Sequence, residues 1–220
     1  FEDFITDEFV VEVYNRNKDR IIPAGSLDVS KYDTETKAVN AFLSKVEKYN
    51  FPIYKFHNRF HCYSPDDSRF LAVLEANNNL PSPKIIFICG LLFSDKAPIM
   101  NINPPMHFYS IAKRFSNTNF VIMHAGGSWA LSLVESTALL KNIYYDLSFV
   151  ITRHRLSSLW NDLQYMVNYY DQKVIFGSDF PEYFIKDALN NFSILSNGIS
   201  KEKKDNILSG NILKLIDKFQ

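Results

Sequence analysis

Two hydrophobic rhythms alternate along this chain. Six short apolar runs stand at residues 20–24 (RIIPA), 52–56 (PIYKF), 84–89 (KIIFIC), 120–123 (FVIM), 142–146 (NIYYD) and 173–176 (KVIF). Each is bounded by Gly, Pro, Asn or Asp, and such continuous runs predict strands buried on both faces. Between them lie longer stretches with apolar residues three and four apart. Residues 36–49 place Val39, Phe42, Leu43 and Val46 on one helical face. Residues 68–77, 106–115, 129–140 and 157–170 repeat that pattern, and 199–219 reads as one or two closing helices with Ser200 as a cap. Six strand–helix units joined by short connections predict an α/β fold with a parallel sheet and helices outside it. Two architectures fit: an open doubly wound sheet, or a (β/α)8 TIM-barrel type with about six of its eight units present.

Composition narrows the class. The 220 residues are 46% hydrophobic and 22% charged, enough for one sizeable core, and no linker divides residues 1–220 into two domains. Formal net charge is +0, which argues against nucleic acid or an anionic membrane surface as a partner and leaves a small-molecule substrate. No apolar run approaches the roughly 20 residues of a membrane span. Cys62 and Cys89 lie in or beside apolar runs, a pattern of reduced thiols in a cytoplasmic protein. Neither a G-x-G-x-x-G turn nor a Walker loop is present, which disfavours dinucleotide and P-loop chemistry. A G-x-S-x-G nucleophile elbow is likewise missing.

Chemistry-bearing residues gather at the ends of the runs. KVIFGSDFP leaves one carboxylate, Asp179, beyond the last strand, where it is either a turn residue or a candidate general base and metal ligand. MHAGGS puts His124 at a strand tip before two glycines. KFHNRFH places Lys55, His57, Arg59 and His61 on alternate positions, so an extended segment would turn all four to one face and could bind an anionic group. Asp146, in DLS, reads as a structural residue orienting the mouth.

These motifs together are similar to those of the amidohydrolase superfamily, closest to the amidohydrolase-2 group that includes aminocarboxymuconate-semialdehyde decarboxylase-like enzymes. MHAGG, NIYYDLS, KVIFGSDFP and ILSGNILKLI resemble its closing segments in order, and FPIYKFHNRFHCYSPDDSRF resembles its G-x-K-x-H-P-R … P-D-D-x-R stretch. The resemblance implies a (β/α)8 barrel with a divalent metal, usually zinc, in a hydrolase or decarboxylase-type lyase for small, often carboxylated substrates. It assigns Asp179 as catalytic acid–base group and metal ligand and His124 as catalytic residue and metal ligand. Substrate binding falls to His57 and Arg59. Two family features are absent from the sequence: the H-x-H pair, and the fifth-strand His, at whose position Ile88 stands. The six units correspond to the third to eighth strands of the family barrel, so the first two lie before Phe1 or have been lost. A barrel short of two strands exposes sheet edges, which points to a homo-oligomer or a further segment. The rival expectation is a catalytically inactive barrel retained as a small-molecule or protein binding module.

Overall fold

The computed structural model describes residues 5–91 and 104–219. All six apolar runs contribute strands: β1 (Ala24–Ser26), β2 (Ile53–Phe56), β3 (Ile85–Cys89), β4 (Phe120–Met123), β5 (Ile143–Asp146) and β6 (Val174–Ile175). They pair in chain order, every neighbour parallel. Helix α1 (Asp7–Arg16) precedes β1. Then α2 (Glu35–Tyr49), α3 (Ser68–Asn78), α4 (Pro104–Arg114) and α5 (Ala130–Thr137) follow β1 to β4 in turn. β5 leads to α6 (Val150–Arg153) and α7 (Leu159–Tyr169), and β6 to α8 (Ile185–Leu195), α9 (Lys201–Asp205) and α10 (Asn211–Ile216). An order that steps one neighbour at a time is barrel winding. A doubly wound sheet reverses direction partway, so the open-sheet alternative is excluded.

The helices form where local signals agree with burial. In α2, the Thr34 hydroxyl accepts from Lys37 N (3.3 Å), satisfying an end donor. Asn50 stops the helix in the left-handed region (φ 50°), with its N–H bonded to Val46 O. Ala38 and Phe42 are fully buried, and Phe42 meets the ring of Tyr54 edge-on at 5.2 Å. Leu43, predicted on the same face, is exposed at the margin of the stripe.

Strand residues sort into two layers because side chains alternate across a sheet. Tyr54, Phe56, Ile86, Ile88, Phe120, Ile122, Tyr145 and Val174 face the helices and share one core with Phe42, Phe70, Leu74, Phe108, Leu163 and Phe192. Ile53, Ile85, Val121 and Ile175 face the other way, into the concave side, against Leu215 and Ile216 of α10. Asn211 fixes that helix by donating to Asp171 O (2.6 Å) and Val174 O (2.7 Å). The amino ends of the strands are therefore plugged by apolar side chains.

Three elements depart from the sequence expectation. The first strand begins at Ala24, not at residue 20: Arg20 N and Ile21 N are taken by Asn17 O in a turn, and Pro23 has no N–H to offer a ladder. Helix α1 buries no residue. It is held by Lys45–Asp7 and Lys48–Glu8 ion pairs to α2, contacts remote in sequence. Helix α8, also unforeseen, buries Ala188, Asn191, Phe192 and Leu195. Among the described residues, no helix is long and apolar enough to cross a membrane.

Candidate active site

The inward-facing positions change character from one end of the sheet to the other. At the strand starts they are Ile53, Ile85 and Val121. At the carboxyl ends, the strand register continues the inward face through Lys55, Cys89 and Asp146. His57 stands one residue beyond the end of β2. The polar groups thus collect at the carboxyl end, the site-bearing end of α/β barrels.

Two sequence expectations change here. The KFHNRFH segment is extended only to Phe56. His61 N then bonds to His57 O (3.0 Å) and Tyr63 N to Asn58 O (3.2 Å), folding 57–63 into a turn. Lys55 keeps the inward face and acts on His57 at the start of the turn, whereas Arg59 and His61 lie within the turn. Arg59 lies over the exposed Phe60 ring at 4.9 Å, and His61 sits 3.6 Å from Asp28. Ile88, read as standing where the family places a metal-binding histidine, is buried against the helices instead. It pairs with Phe56 and Ile122, two other helix-facing residues, so strand alternation assigns the inward position to Cys89.

His124 and Asp146 form a hydrogen-bonded network at the mouth. Both Ser148 N (3.1 Å) and His124 N (3.3 Å) donate to Asp146 Oδ1, and so does Ser148 Oγ. Nδ1 of His124 lies 3.1 Å from Ser148 O and 3.1 Å from Ser148 Oγ. A carbonyl can only accept, so Nδ1 carries the proton and Nε2 keeps its lone pair. This tie holds His124 and Ala125 at φ 60° and 49°, strained values for residues other than glycine. Close backbone packing makes room for it. A side chain at Gly90 would clash with Met123 O and lie 2.9 Å from Gly126 Cα. A side chain at Gly177 would collide with Asp146 Oδ2 and come within 2.9 Å of Ser148 Cβ. Phe149, itself at φ 64°, packs on the His124 ring at 5.4 Å and on Tyr183 at 5.7 Å, giving the mouth an aromatic wall.

Burial sets the charge states. His57 is pulled down to about 3, chiefly by burial and further by the positive charges of Lys55 and Arg59, so its ring is neutral at pH 7. Its Nδ1 is buried without a hydrogen-bond partner among the described residues. Burial also pulls His124 down, against the opposing charges of Asp146 and Asp179. The Asp146 carboxyl is pushed up by burial, opposed by His124 and by the hydrogen bonds it accepts. Burial raises the Cys89 thiol, and Lys55, Arg59 and Asp179 all act on it. Lys55 thus acts on His57, Cys89 and His124, and Asp179 acts on Cys89 and His124. Asp179 occupies the left-handed region (φ 67°), which aspartate tolerates better than most residues.

The family model Amidohydro_2, described as Amidohydrolase, matches residues 6–218. The chain belongs to the amidohydrolase family. None of the curated proteins compared matches it. Solved structures share the TIM-barrel fold of this amidohydrolase. An uncharacterised TIM-barrel protein of Bordetella bronchiseptica is 17% identical with a TM-score of 0.77, over 97% of this chain and 73% of that one. 2,6-Dihydroxybenzoate decarboxylase from Rhizobium is 10% identical with a TM-score of 0.71, over 97% and 76%. 5-Carboxyvanillate decarboxylase from Novosphingobium aromaticivorans, complexed with manganese and 4-hydroxy-3-methoxy-5-nitrobenzoic acid, is 11% identical with a TM-score of 0.67, over 96% and 68%.

The resemblance implies a divalent metal at the carboxyl ends of the strands. A catalytic zinc site takes about three protein ligands and leaves one position open. Among the described residues, no group of three or more His, Cys, Asp or Glu side chains could hold a metal ion. His124 Nε2 and the Asp179 carboxylate are the available donors. Cys89 is a protonated thiol at pH 7, because burial raises it, and only the thiolate ligates well. The described residues do not fit a catalytic divalent ion.

Proposed function

We propose that the chain is an amidohydrolase-family hydrolase or decarboxylase-type lyase acting on a small carboxylated substrate at the mouth formed by His57, Arg59, His124 and Asp179. One observation carries this reading. A neutral imidazole, with its Nδ1 proton committed to Ser148 O and its Nε2 lone pair uncommitted, feels the charges of Asp179 and Lys55 at the carboxyl ends of the strands. That pairing supports general acid–base chemistry. Asp179 is the general base that takes a proton from water in hydrolysis; in decarboxylation it first takes a proton from solvent water and then gives it to the carbon from which CO2 leaves. His124 Nε2 orients the water or the substrate oxygen. His57 offers a neutral hydrogen-bonding edge to the substrate's carboxylate, and Arg59 meets it at the rim.

The second reading is a barrel that binds a small molecule without turning it over. It is favoured by the lack of a three-ligand metal group among the described residues. Turnover separates the two. Wild type and Asp179→Asn are assayed against a panel of benzoic and short-chain dicarboxylic acids for CO2 release and hydrolysis. The enzyme reading predicts turnover that falls by about 10²-fold or more in the variant, the usual range for a positioned acid–base group. Carboxylates that bind wild type without any turnover would select the binding barrel.

A further inference from the structure

The concave face carries one charged group that the acid–base reading leaves unused. Lys55 is the one basic side chain at an inward-facing strand position among the described residues. Its register neighbours are Ser26 on β1 and Phe87 on β3, neither of them acidic. The next strands continue that layer with Val121 and then Tyr144. Asp146, the inward carboxylate on β5, already accepts from His124 N and Ser148. Lys55 is half-buried, and no hydrogen bond or ion pair engages its ammonium among the described residues. A partly desolvated cation without a counter-ion is costly, and an anionic ligand removes the cost. The field of Lys55 reaches His57, Cys89 and His124, so its charge is felt across the whole mouth. Arg59, by contrast, sits in the turn above, over an exposed phenyl ring.

We propose that Lys55 is the half-buried anchor for the substrate's carboxylate, in a mouth that binds the anion without a divalent metal. Lys55 thus supplies the fixed positive charge below the reacting groups, His57 adds a neutral hydrogen bond, and Arg59 contributes at the rim. The proposal rests on the reading of the mouth as a carboxylate site. It goes beyond that reading in naming the anchoring cation and in removing the metal from binding.

The test is ligand-observed NMR titration of benzoate, with benzamide as the uncharged isostere. It uses EDTA-treated protein, then the same protein with added MnCl2. Wild type should bind benzoate after EDTA at least tenfold more tightly than benzamide, with less than a threefold change on adding manganese. Lys55→Met and Lys55→Gln, each checked for wild-type melting, should weaken benzoate by at least tenfold and leave benzamide unchanged. Lys55→Arg should recover most of the loss, and Arg59→Met should cost less than Lys55→Met. Wild-type affinity in folded Lys55→Met or Lys55→Gln overturns the anchor while leaving the carboxylate site standing. Benzoate binding that vanishes with EDTA and returns with manganese overturns the metal-free mouth. A wild type that discriminates no better for benzoate than for benzamide overturns the carboxylate reading and this proposal with it.

Discussion

His57 shows how one residue's environment becomes a property of the fold. Its folded value near 3 lies below the roughly 6.5 of an unfolded histidine. As pH falls from about 6.5 towards 3, the unfolded chain takes up a proton that the folded chain refuses, so stability falls with pH across that window. Replacing His57 by Gln should flatten the acid limb of the stability curve by up to about 1.4 kcal/mol per pH unit within the window. Urea denaturation at a series of pH values checks this, and parallel limbs for the two proteins would contradict it. His57 was legible in the sequence as a strand-end candidate. Its neutrality was not, because desolvation comes from the packed turn at 57–63 and not from the local pattern. The orientation of Cys89 escaped for a related reason: parity along KIIFIC is fixed by pairing with Phe56 and Ile122, which the run itself does not encode.

At the scale of elements, the site depends on how tightly the tips of β4, β5 and β6 approach one another. Asp146 holds the tips of β4 and β5 together through His124 N and Ser148, and Gly177 beyond β6 admits its second oxygen. Gly177→Ala forces a methyl into that carboxylate and into Ser148, a backbone-level overpacking of a kind that costs typically 1–3 kcal/mol. Chemical denaturation should register a loss in that range together with reduced turnover or ligand affinity. A variant as stable and as active as wild type would mean that the three tips are not coupled. The glycines and DLS were visible in the sequence as punctuation, but their mutual contact was not. Helix α1 was invisible for a complementary reason: it has no fully buried stripe to reveal it, and it is held by the partly buried Val10 and Val11 and by charge pairs to α2 about forty positions away.

The described residues form six successive parallel units of an amidohydrolase barrel, with the amino ends of the strands filled by α10 and the carboxyl ends polar. The strand runs and most of the helices were readable from period alone, because strands buried on both faces give unbroken apolar segments. Barrel winding was not, since chain order and strand order coincide only after pairing. The described residues offer no three-ligand cluster, and we propose that acid–base groups at His124 and Asp179 and the ammonium of Lys55 serve the mouth in place of a metal. Metal content of the purified wild-type protein, measured by inductively coupled plasma mass spectrometry beside Asp179→Asn and His124→Ala, tests this most directly. The account predicts far less than one divalent ion per chain in all three proteins. One tightly held ion per wild-type chain, lost in both variants, would contradict it.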